Sequence, residues 1–161
     1  MGRKMASAAL PPSDLYERDY YTWIQEQVRA LRERRVEDLD WPNLVEEIED
    51  LEKNERRLLR HQLSLLLGYL LKRDHASSKM LRARRREWQI SVRRARHHIG
   101  SLLKESPGLP SRIDEIFAQA YESGRDNALL VAELPDSAIP ETPPWTFEEV
   151  IDDRFVPKRE S

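Results

Sequence analysis

Cysteine is absent from this 161-residue chain, and glycine and aromatic residues are scarce. Without cysteine the protein can form no disulfide and no thiolate metal site, so its fold does not depend on an oxidising compartment. There are five glycines, and aromatic residues make up 7% of the chain. Because strands favour aromatic and β-branched residues, this composition points to long amphipathic helices instead of sheets.

Long apolar runs are missing as well. The most apolar stretch, Leu63–Leu71, is short and includes Ser64 and Gly68, whereas a membrane-spanning helix needs about 20 apolar residues. Residues 1–10 contain no apolar run of signal-peptide length. The sequence therefore predicts a cytoplasmic protein that does not bind a membrane.

The motifs of common enzymatic chemistries do not occur in the sequence. It has no Gly-x-Ser-x-Gly nucleophile turn, no glycine-rich phosphate loop and no Glu-x-x-His pair of the kind that holds di-iron in helical bundles. His97 and His98 are adjacent, so on a helix they point about 100° apart and are poorly placed to chelate one ion. We therefore expect no catalytic residue, no metal ligand and no cofactor, although the sequence leaves enzymatic activity undecided.

Apolar residues recur at helical spacing along most of the chain. The pattern predicts helices over residues 13–35, 42–73, 78–104 and 111–132, separated by polar or proline-containing breaks. The predicted fold class is all-α, with these four helices forming a bundle.

The C-terminal region has a different composition. Four prolines follow the last long helix and disfavour both helix and sheet, which predicts an extended strap. Thr146 and Glu149 can form a capping box, so a short terminal helix is expected after the strap. The predicted organisation is a flexible tail over residues 1–12, a helical bundle over 13–133, and the strap with its short helix packed on the bundle over 134–161.

The second predicted helix is the most apolar of the four. Its apolar residues follow an alternating three–four step, as Leu44, Ile48, Leu51, Leu58, Leu65 and Tyr69. Residues 63–71 are apolar on nearly every side, which predicts that they are buried among neighbouring helices. Ser64, interpreted as a packing residue, and Gly68 lie four residues apart, so another backbone is expected to approach closely there.

Two polar residues, Glu55 and Gln62, interrupt this apolar seam. An antiparallel hairpin of the second and third helices would place Glu55 opposite the region of His97. Because buried charge requires a partner, we expect a buried network with Arg94 or His97, with a pocket as the alternative. The tryptophans are interpreted as core or strap anchors: Trp23, Trp41, Trp88 and Trp145.

Charged residues make up 35% of the chain, against about 25% in typical domains, and they are segregated. Residues 37–55 contain nine acidic residues and one lysine, a local net charge of −8. Residues 72–98 contain ten basic and two acidic residues, a local net charge of +8. In the predicted hairpin most of the basic block lies beside the leucine-rich part of the second helix, so we do not expect the blocks to neutralise each other there.

This segregation has three interpretations. The charges can form solvated faces with weak ion pairs, or the acidic block of one copy can pair with the basic block of another. Arginine-rich helices also bind nucleic-acid phosphates, although the aromatic residues expected for single-strand binding are lacking here. The arginines available to a protein partner or a nucleic acid are Arg82, Arg84, Arg85, Arg86, Arg93 and Arg94.

Several segments carry a resemblance to a known family. They are Asp14–Trp23, Leu39–Leu51, Leu63–Lys72, and residues 88–103, 106–109 and 140–153. Together they resemble the bacterial domain-of-unknown-function family numbered twenty-nine, over about Leu15 to Pro157. The resemblance implies an all-helical fold, and it implies no activity, catalytic residue or cofactor.

The motif of that family at the start of the second helix concentrates charge of one sign. Its polar members are Asn43, Glu46, Glu47, Glu49 and Asp50. Folding alone rarely demands so many like charges together, because they repel one another. We therefore expect this cluster to bind a basic partner or a cation.

The sequence as a whole favours a protein–protein interaction module or homo-oligomer, in particular a homodimer. The first alternative is a nucleic-acid-associated protein that uses the arginine-rich helix over residues 82–96. The second is a metal-dependent enzyme that uses the acidic cluster 46–50 with a histidine.

Overall fold

The structure is a computed structural model that describes residues 12–75 and 78–157. The helices of these ranges are α1 (Pro12–Arg18), α2 (Tyr20–Glu33), α3 (Trp41–His75), α4 (Ser78–Glu105), α5 (Ile113–Ala132) and α6 (Phe147–Ile151). No strand occurs among the described residues, so the all-α class is confirmed. The predicted flexible tail falls mostly on residues 1–11, which lie outside the described part of the chain.

The described residues divide into two compact units, one that ends at Lys53 and one that begins at Asn54. In the first unit, the single helix predicted over residues 13–35 is interrupted at Asp19. The Asp19 side chain accepts a hydrogen bond from the Thr22 amide at 3.0 Å and caps α2. Short acidic side chains compete with the helical backbone in this way, so α1 ends one residue earlier.

The core of the first unit contains a hydrogen-bonded network around the carboxylate of Asp40. The buried Trp23 indole donates to Asp40 Oδ2 at 3.1 Å, and the Asn43 amide donates to the same oxygen at 2.8 Å. The Asp40 backbone amide in turn donates to Gln27 Oε1 at 2.8 Å. This network fastens α2 to the residue that precedes α3, which fixes where α3 begins.

The core of the second unit is built on leucines of α3. The fully buried ones are Leu59, Leu63, Leu66, Leu67, Leu70 and Leu71. They pack with the apolar faces of α4 and α5, and each contributes about 1.5–3 kcal/mol by leaving water. The expected burial of residues 63–71 is wrong for Leu65, which is 40% exposed because its neighbours cover a different face of the helix.

Helices α3 and α5 approach each other closely at two glycines. A Cβ atom on Gly124 would lie only 2.8 Å from the Ser64 carbonyl oxygen, and a Cβ atom on Gly68 would lie 3.2 Å from the Gly124 carbonyl oxygen. The close approach expected at Ser64 and Gly68 is therefore confirmed, and α5 is the helix that makes it.

Helices α3 and α4 run side by side, but not in the expected register. Glu55 accepts a hydrogen bond from Ser106 Oγ at 2.7 Å, and Gln62 Oε1 lies 3.3 Å from His98 Nδ1. The network predicted between Glu55 and Arg94 or His97 is therefore wrong. Glu55 lies beside Ser106, which is nine residues further along the chain than His97. Because Glu55 is exposed, its charge needs no buried partner.

Side chains of α4 and α5 bind backbone carbonyls of the C-terminal segment. Arg96, which is buried, donates to the carbonyl oxygens of Val150 at 2.8 Å, Asp153 at 3.3 Å and Phe155 at 2.9 Å. Tyr121 Oη donates to the Pro140 carbonyl oxygen at 2.8 Å. These donors hold a segment whose prolines cannot join a backbone ladder.

The structure also tests the predicted capping box and the interpretation of the tryptophans as anchors. The capping box is confirmed, because the Thr146 and Glu149 side chains bond each other's backbone amides. Trp23 is buried in the core as expected, and Trp145 packs edge-on against Phe155 with ring centroids 5.7 Å apart. Trp88 is half-buried and donates to the Tyr69 carbonyl oxygen at 2.7 Å.

Candidate functional site

The first three turns of α3 expose four large apolar side chains. Trp41 is 53% exposed, Val45 51%, Ile48 65% and Leu51 66%. At about 100° per residue they lie on one third of the helix circumference, with Ile48 at the centre. We call these four residues the α3 apolar face. The interpretation of Trp41 as a core anchor is wrong, because more than half of its side chain is exposed.

Three acidic residues of the predicted cluster, Glu46, Glu49 and Asp50, are exposed. At about 100° per residue Glu49 lies at the edge of the α3 apolar face, whereas Glu46 and Asp50 lie on the opposite side of the helix from Ile48. Asp50 Oδ1 accepts a hydrogen bond from Lys53 Nζ at 2.8 Å, and Glu49 Oε2 lies 3.8 Å from the same nitrogen. Such exposed pairs contribute only about 0–1 kcal/mol. Glu46 makes no hydrogen bond or ion pair within the described residues. Glu46, Glu49 and Asp50 therefore keep most of their charge available to a partner.

The other two members of the predicted cluster are used inside the first unit. Asn43 donates to Asp40, as described above. Glu47 accepts hydrogen bonds from Tyr16 Oη at 2.8 Å and from Tyr20 Oη at 2.7 Å. The bond to Glu47, with partial desolvation, raises the pKa of Tyr16 to about 12 and also raises the pKa of Tyr20.

The sequence did not predict that Tyr16 and Tyr20 contact the acidic cluster. Tyr16 and Tyr20 lie one helical turn apart, and their rings contact each other and Trp23 at centroid distances of 4.8–5.8 Å. Two hydroxyls at this spacing can reach one carboxylate, which is the signal that could have identified Glu47 as a structural residue.

All six arginines predicted to bind a partner lie exposed on α4. They are Arg82, Arg84, Arg85, Arg86, Arg93 and Arg94. None of the six makes a hydrogen bond or an ion pair with another described residue. Their charge is therefore not neutralised by the fold that the described residues form.

One apolar side chain, Ile90, lies among these arginines and is 50% exposed. Together with Arg86, Arg93 and Arg94 it lines a shallow groove on the surface of α4. We call these four residues the α4 basic face. The sequence analysis did not identify Ile90, because this residue lies off the apolar seam of its helix, opposite Val92 and Ile99.

The described ranges show neither a metal site nor a membrane-spanning helix. Residues 12–75 and 78–157 contain no group of three or more His, Asp or Glu side chains placed to hold a metal ion. No helix within the same ranges combines the length and the apolar character that crossing a membrane requires.

The family of the chain follows from a comparison with family models. A model described as "Domain of unknown function DUF29" matches residues 15–156, most of the chain. The chain belongs to the DUF29 family. No curated protein and no solved structure matched it.

The DUF29 match includes both surfaces described above. The α3 apolar face and the α4 basic face lie within the matched residues 15–156. The family description assigns no activity to either surface of this DUF29 chain.

Proposed function

We propose that this DUF29 protein is a protein–protein interaction module that binds a partner through its α3 apolar face. The observation that supports the proposal is the exposure of Ile48 and Leu51, at 65% and 66%, on one side of a helix. Single exposed apolar residues are ordinary, but contiguous ones mark interaction surfaces. The spacing of Trp41, Val45 and Ile48 also matches the anchors of a helix that docks into a groove.

The charges around this face determine what kind of partner it would accept. Glu49, at the edge of this face, and Glu52, exposed one helical turn after Ile48, give the rim a negative potential, and rim charges steer encounter and suppress partners of like charge. The partner surface is therefore expected to combine apolar side chains with lysine or arginine.

Site-specific photo-crosslinking in the native cell tests the proposal. A photoreactive amino acid at position 48 should yield a discrete crosslinked protein adduct. The matched control is position 130 on α5, since Leu130 is 79% exposed but lies outside the α3 apolar face. Equal crosslinking from both positions, or none from position 48, would argue against the proposed function.

A second candidate function is nucleic-acid binding through α4. It is supported by the six exposed arginines, which have no ion-pair partner among the described residues. Each phosphate that an arginine neutralises releases counterions, so binding would weaken steeply with salt. Gel-shift titrations with DNA and RNA at several salt concentrations test this candidate, and binding that is absent at low salt contradicts it.

A further inference from the structure

We infer that the partner of the α3 apolar face is the α4 basic face of a second copy of this chain. The inference rests on the proposed function and adds the identity of the occupant. In the proposed contact, the α3 apolar face of one copy meets the α4 basic face of another.

The two faces have the same apolar centre. Ile48, 65% exposed, lies at the middle of the first face, and Ile90, 50% exposed, lies at the middle of the second. The aliphatic stems of Arg86, Arg93 and Arg94 extend the apolar area around Ile90, because long basic side chains keep only their charged heads in water. Contact between the faces would remove both isoleucines from water.

The charges of the two faces are complementary. The α3 apolar face lies within the block of net charge −8, and the α4 basic face lies within the block of net charge +8. Pairing two α3 faces would bring Glu49 and its neighbours against like charges, which costs free energy. Pairing α3 with α4 instead places carboxylates beside arginines that have no ion-pair partner among the described residues.

Each copy carries both faces, which determines how the contact can propagate. Two copies can exchange contacts reciprocally and close as a dimer, or successive copies can join head to tail. Both assemblies depend on the same acidic and basic residues, so one set of charge reversals tests both.

The test uses two variants of the full chain, measured by sedimentation equilibrium. E49R/E52R reverses Glu49, at the edge of the α3 apolar face, and Glu52, an exposed residue one helical turn after Ile48. R86E/R94E reverses arginines on either side of Ile90. Each variant alone should self-associate at least about 10-fold more weakly than the parent protein, because like charges then oppose each other. An equimolar mixture should recover the parental affinity, since each positive face then meets a negative one.

Matched controls carry the same net charges at other exposed positions. E122R/D126R on α5 and R29E/R32E on α2 should leave self-association near the parental value, alone and mixed. Circular dichroism of every variant shows whether the helices are intact, and an unfolded variant is replaced by the single substitution E49R or R94E.

Several outcomes overturn the inference. They are a monomeric parent protein well above micromolar concentration, variants that weaken association but do not rescue each other, and association that is weakened by E49R/E52R but unchanged by R86E/R94E. Loss of nucleic-acid binding from R86E/R94E, with self-association unchanged, also overturns it and assigns the α4 basic face to nucleic acid. In all these cases a specific crosslink from position 48 would still support the proposed function, so the two failures are distinguishable.

Discussion

Glu47 lies between two tyrosine hydroxyls, which donate to its two carboxylate oxygens at 2.8 and 2.7 Å. A carboxylate that accepts from a phenol stabilises the protonated phenol, so the pKa of Tyr16 rises to about 12. The stabilising contribution of this bond is complete below the ordinary tyrosine pKa of about 10, and it is lost as pH rises through about 12.

The substitution E47Q should lower the pKa of Tyr16 towards its ordinary value, because the negative acceptor is removed. A spectrophotometric titration of the tyrosinate absorbance, with Y16F to assign the transition, measures the shift. E49Q is the matched control, since Glu49 bonds neither hydroxyl, and it should leave the titration unchanged. Identical titrations of E47Q and the parent protein would contradict the assignment.

A second prediction at the residue scale concerns Arg96. Its guanidinium donates to three carbonyl oxygens of the C-terminal segment, so R96M leaves these acceptors without a charged donor. We expect R96M to lower the free energy of unfolding by about 2–3 kcal/mol, and R96K to lower it less, because lysine lacks the planar fork. Urea denaturation measures both. R93M, at an exposed arginine of the same helix, should change stability by less than about 0.5 kcal/mol.

At the scale of the helices, the contact between α3 and α5 depends on two glycines. An alanine at position 124 would place its Cβ 2.8 Å from the Ser64 carbonyl oxygen, so the helices must separate. We expect G124A to cost about 1–3 kcal/mol of stability, which is typical of overpacking. G100A is the control, since a Cβ there meets nothing within 4 Å, and it should stabilise α4 by up to about 1 kcal/mol. Chemical denaturation that ranks the two variants in the opposite order would contradict this account.

The helices were largely predictable from the sequence, because apolar periodicity and capping residues are local signals. The predicted helix over 42–73 is α3 (Trp41–His75), and the one over 78–104 is α4 (Ser78–Glu105). The break at Asp19 was missed because a capping aspartate and an exposed helical aspartate look alike in sequence. The register of Glu55 was missed because it depends on long-range packing.

The candidate site was only partly predictable, for a related reason. The alternating three–four step of α3 identified Ile48, Leu51 and Leu65 as a seam, but periodicity does not show which seam the chain itself covers. The chain instead buries the side of α3 that carries Leu59 and Leu63. Ile48, Leu51 and Leu65 are left exposed. Sequence located the acidic residues, whereas only coordinates show that Glu47 is bonded to tyrosines and Glu49 is not.

At the scale of the whole molecule, a net charge of −2 conceals two opposite blocks of eight charges. If the copies associate through these blocks, salt should weaken the association, since the screening length falls from about 10 Å at 0.1 M to about 3 Å at 1 M. We expect the dissociation constant to rise several-fold over this range in sedimentation or light-scattering measurements. The variant L51Q should weaken association at every salt concentration, because it removes an apolar contact. An association that strengthens with salt in the parent protein would point to a purely apolar interface.

The C-terminal segment is held through its carbonyl groups, which every amino acid has. Arg96, Tyr121 and Arg125 each donate to main-chain oxygens, so the attachment does not depend on which side chains the segment carries. Apart from buried positions such as Ile139 and Val150, the segment is therefore open to sequence drift. Over evolutionary time, the three donors on α4 and α5 would be retained while the residues that they hold diverge.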